Sequence, residues 1–194
     1  MKTPQVVHVC TGRAQPLPTD SGTVLSGSRK TAVQGPVAAR PLGLQGDEQA
    51  DLTVHGGLSK AVYAYPAEHL PFWQTVRAQA GVQACGDALT PGLFGENLLL
   101  QGLLETDLWI GDRLVLPQCV LAVSEPRFPC FKFSAVMGFK HAAKMMVQSG
   151  YCGSYLAVLV PGHVQAGDAM QLQPGPREVN IRELFFSRVR PRRN

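Results

Sequence analysis

Glycine and proline break this chain so often that long regular elements cannot form: 20 glycines and 15 prolines lie among 194 residues and bracket one short apolar run after another. Runs of that length bury their side chains by pairing with neighbours, so the pattern predicts many short strands joined by turns. The glycines keep no three-residue period, which excludes a collagen-like chain, and 45% hydrophobic against 16% charged residues excludes a disordered one. The length suits one well-buried core or one domain with an appendage.

Strands are predicted at 6–10, 61–65, 97–100, 108–110, 113–116, 119–124, 155–160 and 169–172. In the first, His8 and Cys10 fall on one face; His-x-Cys either packs in the core or opens a metal site, and no second pair accompanies it. The stretch 11–27, rich in Gly, Pro, Ser and Thr, reads as a long loop. Helices are predicted from Pro66 or Pro71 with Leu70, Trp73 and Val76 on one face, over 138–149 ended by Gly150, and from Asn180, whose side chain caps the turn, to near Arg188. Gly111-Asp112 and Gly167-Asp168 each place a tight turn ahead of a strand. About eight or nine strands and three helices, without alternating strand–helix units, predict a mainly β fold with a few helices: a small closed or partly closed β-barrel with a short C-terminal helix.

The formal charge of +4 is concentrated at one end, since Arg188, Arg190, Arg192 and Arg193 all lie in the last seven residues. A nucleic-acid footprint spreads along a face, so nucleic acid is disfavoured as a partner and the tail reads as a solvated end. No cationic leader with an apolar stretch opens the chain and no apolar run approaches about 18 residues, so a cytoplasmic protein without a membrane partner is expected. Cys10, Cys85, Cys119, Cys130 and Cys152 form no C-x-x-C pair and no zinc spacing, which points to free thiols in a reducing compartment.

The segment Glu125-Pro126-Arg127-Phe128-Pro129-Cys130-Phe131-Lys132 carries the strongest chemical signal. Its two prolines end regular pairing and fix a turn that presents Cys130, while Arg127 and Lys132 flank the thiol with charge that favours the reactive thiolate. A buried structural cysteine is the alternative, and the segment leaves both readings open. His55-Gly56-Gly57-Leu58-Ser59-Lys60 offers backbone N–H groups and a cation for an anion, and Gly95-Glu96-Asn97 an amide for a heterocycle edge; plain loops explain both equally well. No P-loop, dinucleotide fingerprint, H-E-x-x-H or G-x-S-x-G is present.

In order, Gly46-Asp47-x-Gln49-x-Asp51, His55-Gly56-Gly57-x-x-Lys60-Ala61, Phe94-Gly95-Glu96-Asn97-Leu98, Ile110-Gly111-Asp112 and Pro126-Arg127-x-Pro129-Cys130 resemble the MOSC family, domains related to the C-terminal part of molybdenum-cofactor sulfurase. The resemblance runs from about Ser26 to Leu172 and leans toward the stand-alone YiiM-type branch, linked to resistance against 6-N-hydroxylaminopurine. It implies a β-barrel over residues 1–176, followed at 177–194 by a C-terminal helix and basic tail shorter than the helical appendage usual in that branch. It implies the molybdenum cofactor, a molybdopterin with Mo, with Cys130 as catalytic metal ligand. Lys30, in a family-like segment at Ser26-Gly27-Ser28-Arg29-Lys30, and Arg127 become cofactor-site partners. His55, Gly56, Gly57, Lys60, Gly95 and Asn97 are candidates for the cofactor's phosphate and pterin. Pyridoxal phosphate is not expected.

The activity implied is two-electron reduction of a small N-hydroxylated base or related compound to amine or amidine plus water. An external donor, a flavoprotein or iron–sulfur reductase, is then required, because the chain has no nicotinamide or flavin fingerprint. A cofactor carrier without turnover and a metal-free thiol redox protein are the competing readings.

Overall fold

The computed structural model describes residues 3–50 and 56–189. In chain order its strands are β1 (Gln5–Thr11), β2 (Gln15–Thr19), β3 (Gly22–Ser26), β4 (Thr31–Val33), β5 (Val37–Arg40), β6 (Gly43–Leu44), β7 (Val62–Pro66), β8 (Leu98–Gln101), β9 (Arg113–Val115), β10 (Val120–Pro126), β11 (Ser154–Val160), β12 (Gly162–Val164) and β13 (Gln171–Gln173). The helices are α1 (Leu70–Gln79), α2 (Phe131–Met137), α3 (Ala142–Ser149) and α4 (Ile181–Val189).

One eight-stranded sheet, in the order β13-β9-β10-β11-β7-β8-β1-β4, organises the molecule. Its pairs are antiparallel except β7 with β8, a parallel neighbour pair joined through α1, as a parallel pair requires a crossover. Successive side chains of β7 point to opposite faces: Val62 and Ala64 enter one core, Tyr63 and Tyr65 the other. The first core is aliphatic and lies toward the three-stranded sheet β12-β5-β6, which adds Ala39, Leu44 and Val164. The second is aromatic and is covered by the helices through Trp73, Phe133, Met137, Met146 and Phe185. Burial on both faces explains why β7 reads as an unbroken apolar run.

The sheets are not closed into a barrel, contrary to the sequence-based expectation. The edge strands β13 and β4 are three residues each and do not pair; β1 meets the turn before β13 through an isolated bridge, Gln5 with Ala169, and through Gly167 N–H to the Val6 carbonyl at 2.8 Å. The stretch expected to be a long loop is the β2–β3 hairpin, paired from Gln15↔Ser26 to Thr19↔Gly22. A two-stranded ribbon leaves outer edges where Pro16 and Pro18 need donate no ladder bond, so prolines that argue against a central strand are harmless there. Residues 108–110 form no strand, only the bridge Trp109↔Asn180. The helix expected over 138–149 begins at Ala142, and α2 precedes it.

Caps and turns follow their residues. Asn180 Oδ1 accepts the N–H groups of Arg182 (2.9 Å) and Glu183 (3.3 Å) at the start of α4, and Gly150 ends α3 in the left-handed conformation at φ 73°. Both Gly-Asp turns close alike: Asp112 accepts Trp109 N–H at 3.1 Å and Asp168 accepts Gln165 N–H at 3.0 Å. Among the described residues no helix is long and apolar enough to cross a membrane.

Candidate functional site

Sheet order assembles a cavity that chain order hides. Across the neighbours β10, β11, β7, β8, β1 and β4, the lining takes Arg127 and Cys130 just after β10, Tyr155 from β11, Tyr63 from β7, Asn97 just before β8 and Lys30 just before β4. Ser26, Ser28, Asp47, Gln49, Lys60, Gly95 and Lys132 are also among its lining. Six of the residues singled out from sequence therefore share one cavity: Lys30, Lys60, Gly95, Asn97, Arg127 and Cys130. Gly56 and Gly57 do not line it, and His55 lies outside the described residues.

Its floor is a buried ion pair. Lys30 Nζ donates to both carboxylate oxygens of Asp47, with side-chain exposures of 6% and 2%. Burial pulls the Lys30 amine below its ordinary value while Asp47 and Glu96 pull it back up. Asp47 Oδ1 also accepts Gly12 N–H at 3.0 Å, which ties the end of β1 to this floor.

The opposite wall is cationic. Arg127 is buried at 7% exposure, its guanidinium 5.2 Å from the Tyr63 ring centre and 4.9 Å from that of Phe133. No carboxylate pairs with it among the described residues. Burial lowers the guanidinium's pKa, but Tyr63, Tyr155 and Cys130 together raise it above its ordinary value, and the group is charged. Cys130 takes the residue position before α2 with extended backbone (φ −117°), and its carbonyl accepts Phe133 N–H at 2.9 Å. It is half-buried, whereas Cys10, Cys119 and Cys152 are buried and Cys85 is exposed. Burial pushes the Cys10 thiol up to about 12 and that of Cys119 to about 11, which keeps both protonated near neutrality.

Other sequence candidates turn out to position their neighbours. Gly57 has φ 89° and starts the single turn Leu58–Lys60 that delivers Lys60 to the rim. There Lys60 Nζ lies 3.6 Å from Glu125 and 5.8 Å from the Tyr155 ring centre. Asn97 stitches the sheet: its Oδ1 accepts Tyr63 N–H at 3.0 Å and its Nδ2 donates to the Cys10 carbonyl at 3.2 Å. Among the described residues Nδ2 makes no other hydrogen bond.

Sequence reading passed over Glu96, Tyr63 and Tyr155 as site residues. Glu96 is buried and accepts Gly92 N–H at 2.6 Å and Phe94 N–H at 3.0 Å, clamping the turn that presents Phe94 and Gly95. A Cβ at Gly92 would meet the Lys30 carbonyl at 2.3 Å, so this turn seats directly on the Lys30 backbone. The available signal was an acid inside an apolar run, at 96 between Phe94 and Leu98.

Burial pushes the Glu96 carboxyl up to about 7, against the pull of its backbone donors and Lys30. Its folded-state value lies above the ordinary 4.5, so the stability it contributes is complete below about pH 4.5 and is lost as pH rises through about 7. A shift of that size corresponds to about 3 kcal/mol. Urea unfolding from pH 4.5 to 7.5 is expected to show wild-type stability falling relative to Glu96→Gln, which cannot ionise. Parallel profiles for the two proteins would contradict this.

A MOSC domain family model matches residues 51–171. Among curated proteins, the chain is 37% identical over 185 residues to the uncharacterised protein YflK of Bacillus subtilis, covering 95% of this chain and 79% of that one. It is 35% identical over 172 residues to a protein of Gibberella moniliformis named "Reductase", covering 86% of this chain but 30% of that longer protein. The crystal structure of YiiM from Geobacillus stearothermophilus superposes with a TM-score of 0.74 at 29% identity, covering 96% of this chain and 84% of that one. Matched along most of its length by a family model, by relatives and by a solved structure, the chain belongs to the MOSC domain family, within its YiiM-like branch.

Proposed function

We propose that this protein binds a molybdenum cofactor through Cys130 and reduces small N-hydroxylated bases or related N-hydroxylated compounds, drawing electrons from an external donor. MOSC domains are associated with the molybdenum cofactor. The observation that carries the reading is the pairing, in one cavity, of the half-buried thiol of Cys130 with the buried guanidinium of Arg127.

The donor set fits the group. Among the described residues no three His, Cys, Asp or Glu side chains cluster to hold a metal, so a metal that arrives with sulfur ligands of its own is the kind that one protein thiolate can complete. Arg127 balances the thiolate's charge, Lys60 and Lys132 stand at the rim for an anionic group such as a phosphate, and the Asn97 amide lines the cavity where a heterocycle edge would bind. Tyr63, Phe133 and Tyr155 exclude water from the wall behind Arg127. When bound, the cofactor supplies two-electron oxygen removal that no side chain here can perform. The net reaction, R–NH–OH + 2 e⁻ + 2 H⁺ → R–NH₂ + H₂O, breaks the N–O bond and oxidises the donor. The name of the Gibberella relative supports a reductive role, and the free cysteines suit a reducing, cytoplasmic setting.

Cofactor-loaded protein given dithionite-reduced viologen and 6-N-hydroxylaminopurine is expected to form the amine over many turnovers. Product limited to one equivalent or none, with cofactor passed intact to an apoenzyme, would replace catalysis by a carrier role.

A further inference from the structure

The reaction proposed above consumes two electrons, and among the described residues no group can store them. They must cross the surface close to Cys130. Two large apolar side chains stand exposed there: Phe131, next to Cys130, at 59%, and Leu25, on β3, at 56%. Each is next in sequence to residues that line the cavity, Ser26 for Leu25 and Cys130 and Lys132 for Phe131, and Lys132 Nζ joins the two segments by donating to the Leu25 carbonyl at 3.1 Å.

Cations outnumber acids along this face. Between Glu125 and Asp168 the sequence holds no acidic residue, while Arg127, Lys132, Lys140, His141 and Lys144 all fall in that interval. Lys140 and His141, between α2 and α3, and Lys144, on α3, are exposed, and a groove between the hairpin tip and α2 joins Phe131 and Phe139 to Lys140. Asp20, at the tip, is the acid in the groove's lining. An apolar centre with a cationic border is the complement of an acidic protein that exposes an apolar edge, and such pairs meet through weak, charge-steered encounters.

We propose that this face, centred on Phe131 and Leu25 and bordered by Lys140 and Lys144, docks a small acidic electron-transfer protein that delivers electrons toward the Cys130 cavity. The inference rests on the reductive function proposed above, and the test separates the two. Binding of an acidic flavodoxin is measured by NMR line broadening or interferometry, on wild type and on Lys140→Glu/Lys144→Glu, at low and raised salt. Wild type is expected to bind with an affinity that falls with salt, and the double variant at least about 10-fold more weakly. With reduced viologen, which needs no docking site, the loaded variant is expected to keep its turnover. Equal flavodoxin affinity for both proteins, or tighter binding of a short DNA duplex than of flavodoxin, would overturn the docking face. Absence of viologen-driven turnover in wild type would instead remove the reductive function, whatever the binding result.

Discussion

Lys30→Met is expected to destabilise the protein by about 3–5 kcal/mol, a drop in melting temperature on the order of 10 °C. The Lys30 ammonium is the partner of an Asp47 carboxylate that is 2% exposed, and methionine fills similar space while leaving that charge buried and uncompensated. Asp47 cannot turn away, because Oδ1 also holds Gly12 N–H at 3.0 Å. Adding Asp47→Asn to Lys30→Met removes the stranded charge and keeps an oxygen for Gly12, so most of the lost stability is expected to return. Thermal unfolding of the two variants checks this. A single variant as stable as wild type, or a double variant no better than the single, would contradict the ion pair's role as the cavity floor.

Cys130→Ala is expected to do the reverse: stability close to wild type, and reduction of N-hydroxylated substrate lowered to the background of cofactor-free protein. Cys130 is half-buried at the cavity wall, and the turn that presents it is set by Pro126, Pro129 and the start of α2. Alanine at Cys10, Cys119 or Cys152 should show the opposite profile, with packing losses on the order of 1–3 kcal/mol and activity retained. Steady-state rates with reduced viologen, beside denaturant midpoints, separate the two patterns. Full activity in Cys130→Ala would show that the thiol is not part of the chemistry.

The sequence shows plainly what is local and conceals what the sheet brings together. The strand at Val62–Pro66 is legible because burial on both faces leaves it wholly apolar, and the start of α4 is legible because Asn180 caps its own next turn. The β2–β3 hairpin is concealed by Pro16 and Pro18, which mark a loop unless the ribbon has free edges. The seven residues of α2 are too few for a helical period to stand out, although Phe133 and Met137 fall one turn apart on its buried face. Lys30 and Cys130 are one hundred positions apart and share a cavity only because β4 and β10 belong to one sheet. Their chemical types were visible beforehand; the order of the strands between them was not. Asn97 was visible as a polar residue beside an apolar run, but its first task is to tie β1 to β7.

The most direct measurement of the central claim is the molybdenum and pterin content of wild type and Cys130→Ala, purified alike from a host that makes the molybdenum cofactor. Folded wild type should carry both groups in equal amounts approaching one per chain, and folded Cys130→Ala should carry little or no molybdenum. Equal molybdenum in the two proteins, or none in wild type from a host with the cofactor in excess, would contradict Cys130 as the ligand.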